Sequence, residues 1–381
     1  MKLIFLNKKL HILFINSWYP SRVMPANGDF IQRHAEAVAI KNKVTTIHII
    51  SDKNSKPSIE ITDEIINEVR TIIGYLKFTK NPVLKWLRFV LAFRKIYKEI
   101  GAFDVVHVNR IYPLGIFALY LKYFKKKPYI ISEHWTSLLK EHARSISLFE
   151  RLISKNIAKN ASSICPVSQN LTDSMMDLGL TGNYQVVPNV VDTKVFVPKS
   201  IKNNRFTLLH VSNMLDEHKN ISGILNVISE LKKSIPNFKL VLIGADSEKY
   251  AEHIKELSLQ NIVTIMPQIE HYKIAEFMQQ ADAFVLFSNY ENLPCVILES
   301  FSCGLPVIST DVGGISEFFP HSFGYLIPKN NTQKLTETLI HFYKSKTEYN
   351  SLKMHQYVKD NFSKEVICDT FLSCYLTALE I

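Results

Sequence analysis

The stretch Ala283-Phe284-Val285-Leu286, then Ser288-Asn289-Tyr290-Glu291-Asn292-Leu293-Pro294-Cys295-Val296-Ile297-Leu298-Glu299, then Gly304-Leu305-Pro306-Val307-Ile308-Ser309, reads strand, loop, helix, turn, strand. A short apolar run bounded by turn residues suits a strand buried on both faces. Its return through a helix to a second such run argues for a parallel sheet. Pro294 fits the first helical turn, where its missing N–H costs nothing.

The chemistry of this unit follows from its helix start. The N–H groups of Asn292, Leu293, Cys295 and Val296 have no carbonyl of their own helix to bond, and such a terminus suits a phosphate. Glu299, further along the helix, can accept hydrogen bonds from two vicinal hydroxyls, as acidic residues do for a ribose in dinucleotide folds. Glu291, in the loop, falls near a sugar attached to the phosphate. Taken singly, either glutamate is equally a solvated carboxylate on an ordinary helix.

The same alternation extends in both directions. In the second half, strands are expected at 206–211, 239–243, 263–266, 283–286 and 306–309, with helices at 221–235, 249–258, 272–280, 296–303 and 332–345. In the first half, strands are expected at 11–17, 45–51, 105–108, 129–132 and 163–167, with helices at 30–39, 83–100, 114–124, 148–159 and 169–178; 59–74 reads as a hairpin. This divides the chain into an N-terminal Rossmann-like domain (1–187), a proline- and lysine-containing linker (188–205) and a C-terminal Rossmann-like domain (206–361). A last helix, about 362–381, is apolar on one side and expected to pack back on the first domain. The expected fold class is α/β, two parallel-sheet domains facing across a cleft, with ligands beyond the carboxyl ends of the strands.

Composition sets the limits. The chain has 381 residues, 46% hydrophobic and 21% charged, values of a globular protein rather than a disordered one. No apolar run is long enough for a membrane span. Met1–Leu10 has lysines but no small-residue cleavage site after it, so a signal peptide is not expected. Five scattered cysteines with no C-x-x-C pair read as free thiols of a reducing, cytoplasmic compartment. Residues 1–187 carry 27 basic and 14 acidic side chains, whereas 188–381 carry 18 and 21. All the excess positive charge therefore lies in the first half. The 83–98 helix pairs Trp86, Phe89, Val90, Phe93, Ile96 and Tyr97 with Lys85, Arg88, Arg94, Lys95 and Lys98, a pattern of either a sheet-covering helix or one that docks on an anionic membrane. Nucleic acid is not an expected partner, since no recognised module accompanies the charge.

The segments Ser302-Cys303-Gly304-Leu305-Pro306-Val307-Ile308-Ser309-Thr310 and Gly313-Gly314-Ile315-Ser316-Glu317, following Glu291 and Glu299, resemble the large family of retaining glycosyltransferases with the GT-B fold, of group 1 or family 4 type. Its members carry an E-x7-E motif that matches these two glutamates. Tyr184–Asp192 is similar to the family's hinge, Leu240–Gly244 to the strand and glycine beside the nucleotide, and Trp18–Pro20 with Gly28–His34 to the N-terminal donor loop.

The resemblance implies a metal-independent sugar transfer, with retention, from a nucleotide-sugar donor to a glycan or lipid-linked saccharide acceptor. No D-x-D motif is present and no cofactor is expected. It implies Lys219, Glu291 and His134 as catalytic residues, the last near the acceptor. It implies donor binding by Gly28, Asn213, Lys219, Gly244, Glu291, Asn292, Leu293, Pro294, Cys295 and Glu299. Three positions depart from the family: Val190 stands where glycine is usual in the hinge, Asn213 where arginine is usual, and Asn292 where glycine is usual after the first glutamate. Asparagine tolerates positive φ, so the loop is expected to keep its shape. A nucleotide-sugar 2-epimerase and a non-catalytic nucleotide-sugar-binding protein are the alternatives. The expected location is cytoplasmic, with the basic half suited to the inner face of a membrane.

Overall fold

A computed structural model describes residues 9–142, 146–199, 204–345 and 347–380. These fall into two compact units: the described residues up to Val190 with those from Lys364 onward, and Val191–Ser363.

In chain order the first unit comprises β1 (His11–Asn16), α1 (Asp29–Ala39), β2 (Lys43–Asp52), β3 (Ile59–Ile66), β4 (Val69–Lys77), α2 (Pro82–Glu99), β5 (Val105–Asn109), α3 (Gly115–Lys125), β6 (Tyr129–Glu133), α4 (Leu148–Asn160), β7 (Ser163–Pro166) and α5 (Gln169–Asp177). Its sheet has the order β3-β4-β2-β1-β5-β6-β7. All neighbours pair in parallel except β3 and β4, the expected hairpin, whose two-residue link Asn67-Glu68 has φ of 49° and 65°. Positive φ at both positions matches the twist that two-residue hairpins require. Every residue of β1, β5 and β6 is buried, as apolar runs in a parallel sheet covered on both faces should be.

Helix α2 behaves as two halves. Asn81 caps it by accepting from the N–H groups of Val83 and Leu84, with Pro82 in the first turn. Its later turns bury Ala92, Phe93 and Ile96, and Phe93 packs on Phe117 of α3. Its first two turns stand off the core, leaving Val83 73% and Trp86 66% exposed.

The second unit continues with β8 (Phe206–Val211), α6 (Asp216–Lys219), α7 (Ile221–Leu231), β9 (Phe238–Ile243), α8 (Ala251–Glu256), β10 (Val263–Met266), α9 (His271–Gln280), β11 (Ala283–Leu286), α10 (Cys295–Ser302), β12 (Val307–Thr310), β13 (Gly324–Ile327), α11 (Thr332–Ser345) and α12 (Ser351–Phe362). The sheet order is β10-β9-β8-β11-β12-β13, parallel throughout. Sequence reading missed β13 and α12. β13 is four residues long and led by a glycine at φ 147°, whose absent Cβ would meet the Val307 carbonyl oxygen at 1.8 Å.

The last helix, α13 (Lys364–Ala378), belongs to the first unit. Ile367, Phe371, Cys374 and Tyr375 join the core that holds Phe14, Ala35 and Val38. Of the segment read as a linker, residues 200–203 lie outside the described residues. The rest is tied down: the Pro188 carbonyl is 3.1 Å from His34 Nε2, Val191 N–H donates to the Phe362 carbonyl, and Phe196 is fully buried. All five cysteines are free thiols. Among the described residues no helix is long and apolar enough to cross a membrane.

Candidate active site

In the second unit the loop between β11 and α10 carries Glu291, whose side chain is 6% exposed. Lys219 Nζ donates to its Oε1, Ser288 Oγ donates to the same oxygen at 2.7 Å, and His218 Nε2 lies 3.4 Å from Oε2. Burial works to raise the Glu291 pKa, but the charge of Lys219, with the neighbouring His218, outweighs it and holds the carboxyl at about 2. The group is a carboxylate at any physiological pH.

Two glycines bring the surrounding chain this close. Gly313, at φ 60°, lies against the Glu291 carbonyl so tightly that a Cβ would sit 1.7 Å from its oxygen, and Gly314 N–H donates to the Asn292 carbonyl at 3.0 Å. The Gly313-Gly314 pair, read from sequence as a flexible turn, is a clasp on the glutamate loop. Gly244, just after β9, packs in the same manner on the Ser212 carbonyl, where a Cβ would be 2.0 Å from the oxygen.

Lys219 is the last residue of α6, the short helix after β8. The α6 turn is laced to the glutamate loop: Asn289 N–H donates to the His218 carbonyl, Asn289 Nδ2 to the Glu217 carbonyl, and the His218 ring stacks on Tyr290 at 4.3 Å. Asn213 is exposed, and its side-chain oxygen accepts from Leu215 N–H at 3.3 Å. It forms a local turn where the family's arginine would stand, and carries no charge.

Helix α10 runs Cys295–Ser302, one residue earlier at each end than the expected 296–303. Pro294 is extended, with ψ 121°, and caps the helix rather than opening its first turn; no side chain caps it. Asn292 has negative φ, so the tolerance invoked for it is not called upon. Leu293 and Pro294 are buried and Cys295 is half-buried. Glu299, in the middle of α10, is 1% exposed, and His271 Nε2 at the start of α9 lies 2.8 Å from its Oε1. Sequence reading missed His271: it is 28 positions from Glu299, on another helix, and no local spacing reports it.

The first unit holds the other two positions. Gly28, at φ 77°, precedes α1, and a Cβ there would lie 2.6 Å from the Trp18 carbonyl carbon. His134 follows β6 and packs against the rings of Phe30 and His34 at 4.7 and 5.3 Å. Burial, with the neighbouring His34 and His107, keeps its pKa well below the ordinary value, so the imidazole is neutral. His107 is structural: its ring nitrogens lie 2.7 Å from the Tyr375 hydroxyl and 2.7 Å from Ser132 Oγ.

Among the described residues no group of three or more His, Cys, Asp or Glu is arranged to hold a metal ion.

Two family models match the chain, Glycosyltransferase Family 4 over residues 39–195 and Glycosyl transferases group 1 over residues 192–361. The N-acetyl-alpha-D-glucosaminyl L-malate synthase of Bacillus anthracis is 24% identical over 342 residues, 82% of this chain and 86% of that protein. Among solved structures, the sucrose-phosphate synthase from Thermosynechococcus elongatus matches with a TM-score of 0.79 at 19% identity, covering 98% of this chain and 100% of that one. Anabaena HepE in complex with UDP-glucose matches with a TM-score of 0.71 at 17% identity, covering 96% and 98%.

Proposed function

We propose a reaction from the premise that the chain belongs to the group 1 glycosyltransferases and has the GT-B fold. It moves a sugar from a nucleotide-sugar donor to a glycan or lipid-linked acceptor in polysaccharide or glycolipid synthesis, with retention of anomeric configuration and without a metal. The observation that carries this reading is the Lys219–Glu291 pair on the loop that leads into α10.

Transfer breaks the bond between the anomeric carbon and a diphosphate oxygen, so positive charge grows on the sugar and negative charge on the leaving group. Lys219 and the amides at the start of α10 stabilise the leaving oxygens. Glu291, ionised throughout, accepts hydrogen bonds from hydroxyls of the transferred sugar and holds Lys219 in place. Asn213 adds an amide where a second cation would be usual, so Lys219 carries more of the leaving-group charge. Glu299 takes the ribose hydroxyls, with His271 fixing its carboxylate. Retention is supported by the family resemblance: the acceptor attacks from the leaving group's side, and the departing phosphate oxygen takes its proton. Neutral His134 orients the acceptor hydroxyl by a hydrogen bond. The absence of a D-x-D motif supports metal independence.

Membrane association is the second part of the proposal. The first two turns of α2 expose Val83, Trp86 and Leu87, with Lys85 among them and Lys80 just before them. Apolar side chains ringed by lysines suit an interface of anionic headgroups.

A thermal-shift panel of UDP-, GDP- and ADP-sugars tests the donor site. A bound nucleotide at a hundredfold excess over Kd stabilises by about 2.7 kcal/mol. One nucleotide is expected to raise the melting temperature, and Glu299→Ala to abolish that rise. No rise with any of them would sink the donor reading; an undiminished rise in the variant would remove the ribose assignment.

A further inference from the structure

Two of the chain's three tryptophans flank one arginine. The Arg110 guanidinium lies 3.7 Å from the ring centre of Trp135 and 4.9 Å from that of Trp18. Its backbone is at φ 83°, a conformation that a non-glycine residue adopts at a cost, and its N–H donates to the Ser132 carbonyl at 2.9 Å. Its Nε is buried and has no hydrogen-bond partner among the described residues.

The neighbouring carboxylate does not account for this. Both oxygens of Glu133 accept from the backbone, Oε2 from Ile111 N–H and Oε1 from the N–H groups of His134 and Trp135, each at 2.9 Å. Burial raises the Glu133 pKa, which weakens it further as a counter-charge. Glu150 attracts Arg110 at longer range without a hydrogen bond between them.

The location is also that of a ligand site. Trp18, Arg110 and Trp135 follow β1, β5 and β6, three adjacent parallel strands, at their carboxyl ends. A guanidinium held between indole faces presents its N–H donors only along its edge, in the planar fork that fits two oxygens of one anion.

We propose that Arg110 binds an oxyanion, phosphate or carboxylate, carried by the molecule that receives the sugar. This rests on the glycosyltransferase reading for the word "receives", but the anion site itself stands on the first unit alone.

All three tryptophans (Trp18, Trp86 and Trp135) lie in the first unit, so intrinsic fluorescence reports there. Trp86→Phe removes the signal of the one tryptophan that does not pack on Arg110. In that protein, at constant ionic strength, inorganic phosphate or succinate is expected to give a saturable fluorescence change. The anion that does so identifies the group. Arg110→Met is expected to weaken it about tenfold or more, the loss of one charge-assisted contact. Arg110→Lys keeps the charge without the fork and is expected to fall between the two. It also serves if Arg110→Met fails to fold. No saturable change with either anion would overturn the proposal, as would an unchanged titration in Arg110→Met or Arg110→Lys. The nucleotide-induced melting shift is read separately: its absence counts against the donor reading, while an unaltered anion titration counts against Arg110.

Discussion

The Lys219 ammonium donates to Oε1 of Glu291, and the two side chains are 10% and 6% exposed. A charge pair so withdrawn from water is costly to break from one side. Removing one partner leaves the other buried and uncompensated, typically at about 3–5 kcal/mol. Lys219→Met and Glu291→Gln are therefore each expected to lower the melting temperature, and the double variant to lower it less than their sum. A strictly additive double variant, measured by calorimetry, would show that the pair is not coupled.

The same pair fixes a pH dependence. Glu291 is held at about 2 against an ordinary 4.5. A carboxyl whose folded value is depressed contributes stability above its unfolded value and loses it as pH falls through the folded one. Stability of the native protein is expected to drop between pH 4.5 and 2 more steeply than in Lys219→Met, whose Glu291 lacks the main charge that depresses it. Parallel acid melts of the two proteins would contradict this.

Gly313 gives a test of positioning. Its φ of 60° and its contact with the Glu291 carbonyl leave no room for a methyl group. Gly313→Ala is expected to displace the glutamate loop, reducing transfer by at least about tenfold while the far-UV circular dichroism stays native. An analogous displacement of positioned groups commonly costs on the order of 10² in rate. Full activity in this variant would mean that the clasp does not set the Glu291 geometry.

The fold was legible where period and length were both present. Every parallel strand from β1 to β12 coincides with an apolar run, since strands buried on both faces need little but apolar residues. β13 escaped although β10, β11 and β12 are equally short, because it opens on a glycine, which reads as a turn. In the site, Glu291, Glu299 and Lys219 could be named from spacing and resemblance, because each lies in the segment that follows a strand, Lys219 after β8 and the two glutamates after β11. Their partners could not. His271 meets Glu299 from another helix, and Arg110 meets Trp18 and Trp135 from other strands. Such meetings depend on strand order, which no local stretch encodes.

Tyr375 in α13 links the end of the chain to the sheet through His107, which is buried and uncharged. Tyr375→Phe leaves that imidazole nitrogen without its partner at about 1–3 kcal/mol. Phe371→Ala, fully buried beside it, is expected to cost about 3–5 kcal/mol through the cavity it leaves. Urea melts should therefore rank Phe371→Ala below Tyr375→Phe and both below native. Equal midpoints for all three would show that α13 contributes nothing to the first unit's stability.

The membrane proposal makes the most easily contradicted prediction. The first turns of α2 expose Val83 and Trp86 instead of burying them, although the same helix packs Phe93 against the core. Each basic residue close to an anionic surface adds about 1 kcal/mol of attraction, an effect that salt screens over about 10 Å at 0.1 M. The protein is expected to sediment with phosphatidylglycerol-containing vesicles and not with phosphatidylcholine alone. Raising the salt should release it. Trp86→Ala should weaken binding without changing its salt dependence, and Lys80→Glu with Lys85→Glu should weaken both. Equal sedimentation with neutral and anionic vesicles would leave α2 as a helix that covers the sheet with its second half and has no membrane to meet with its first.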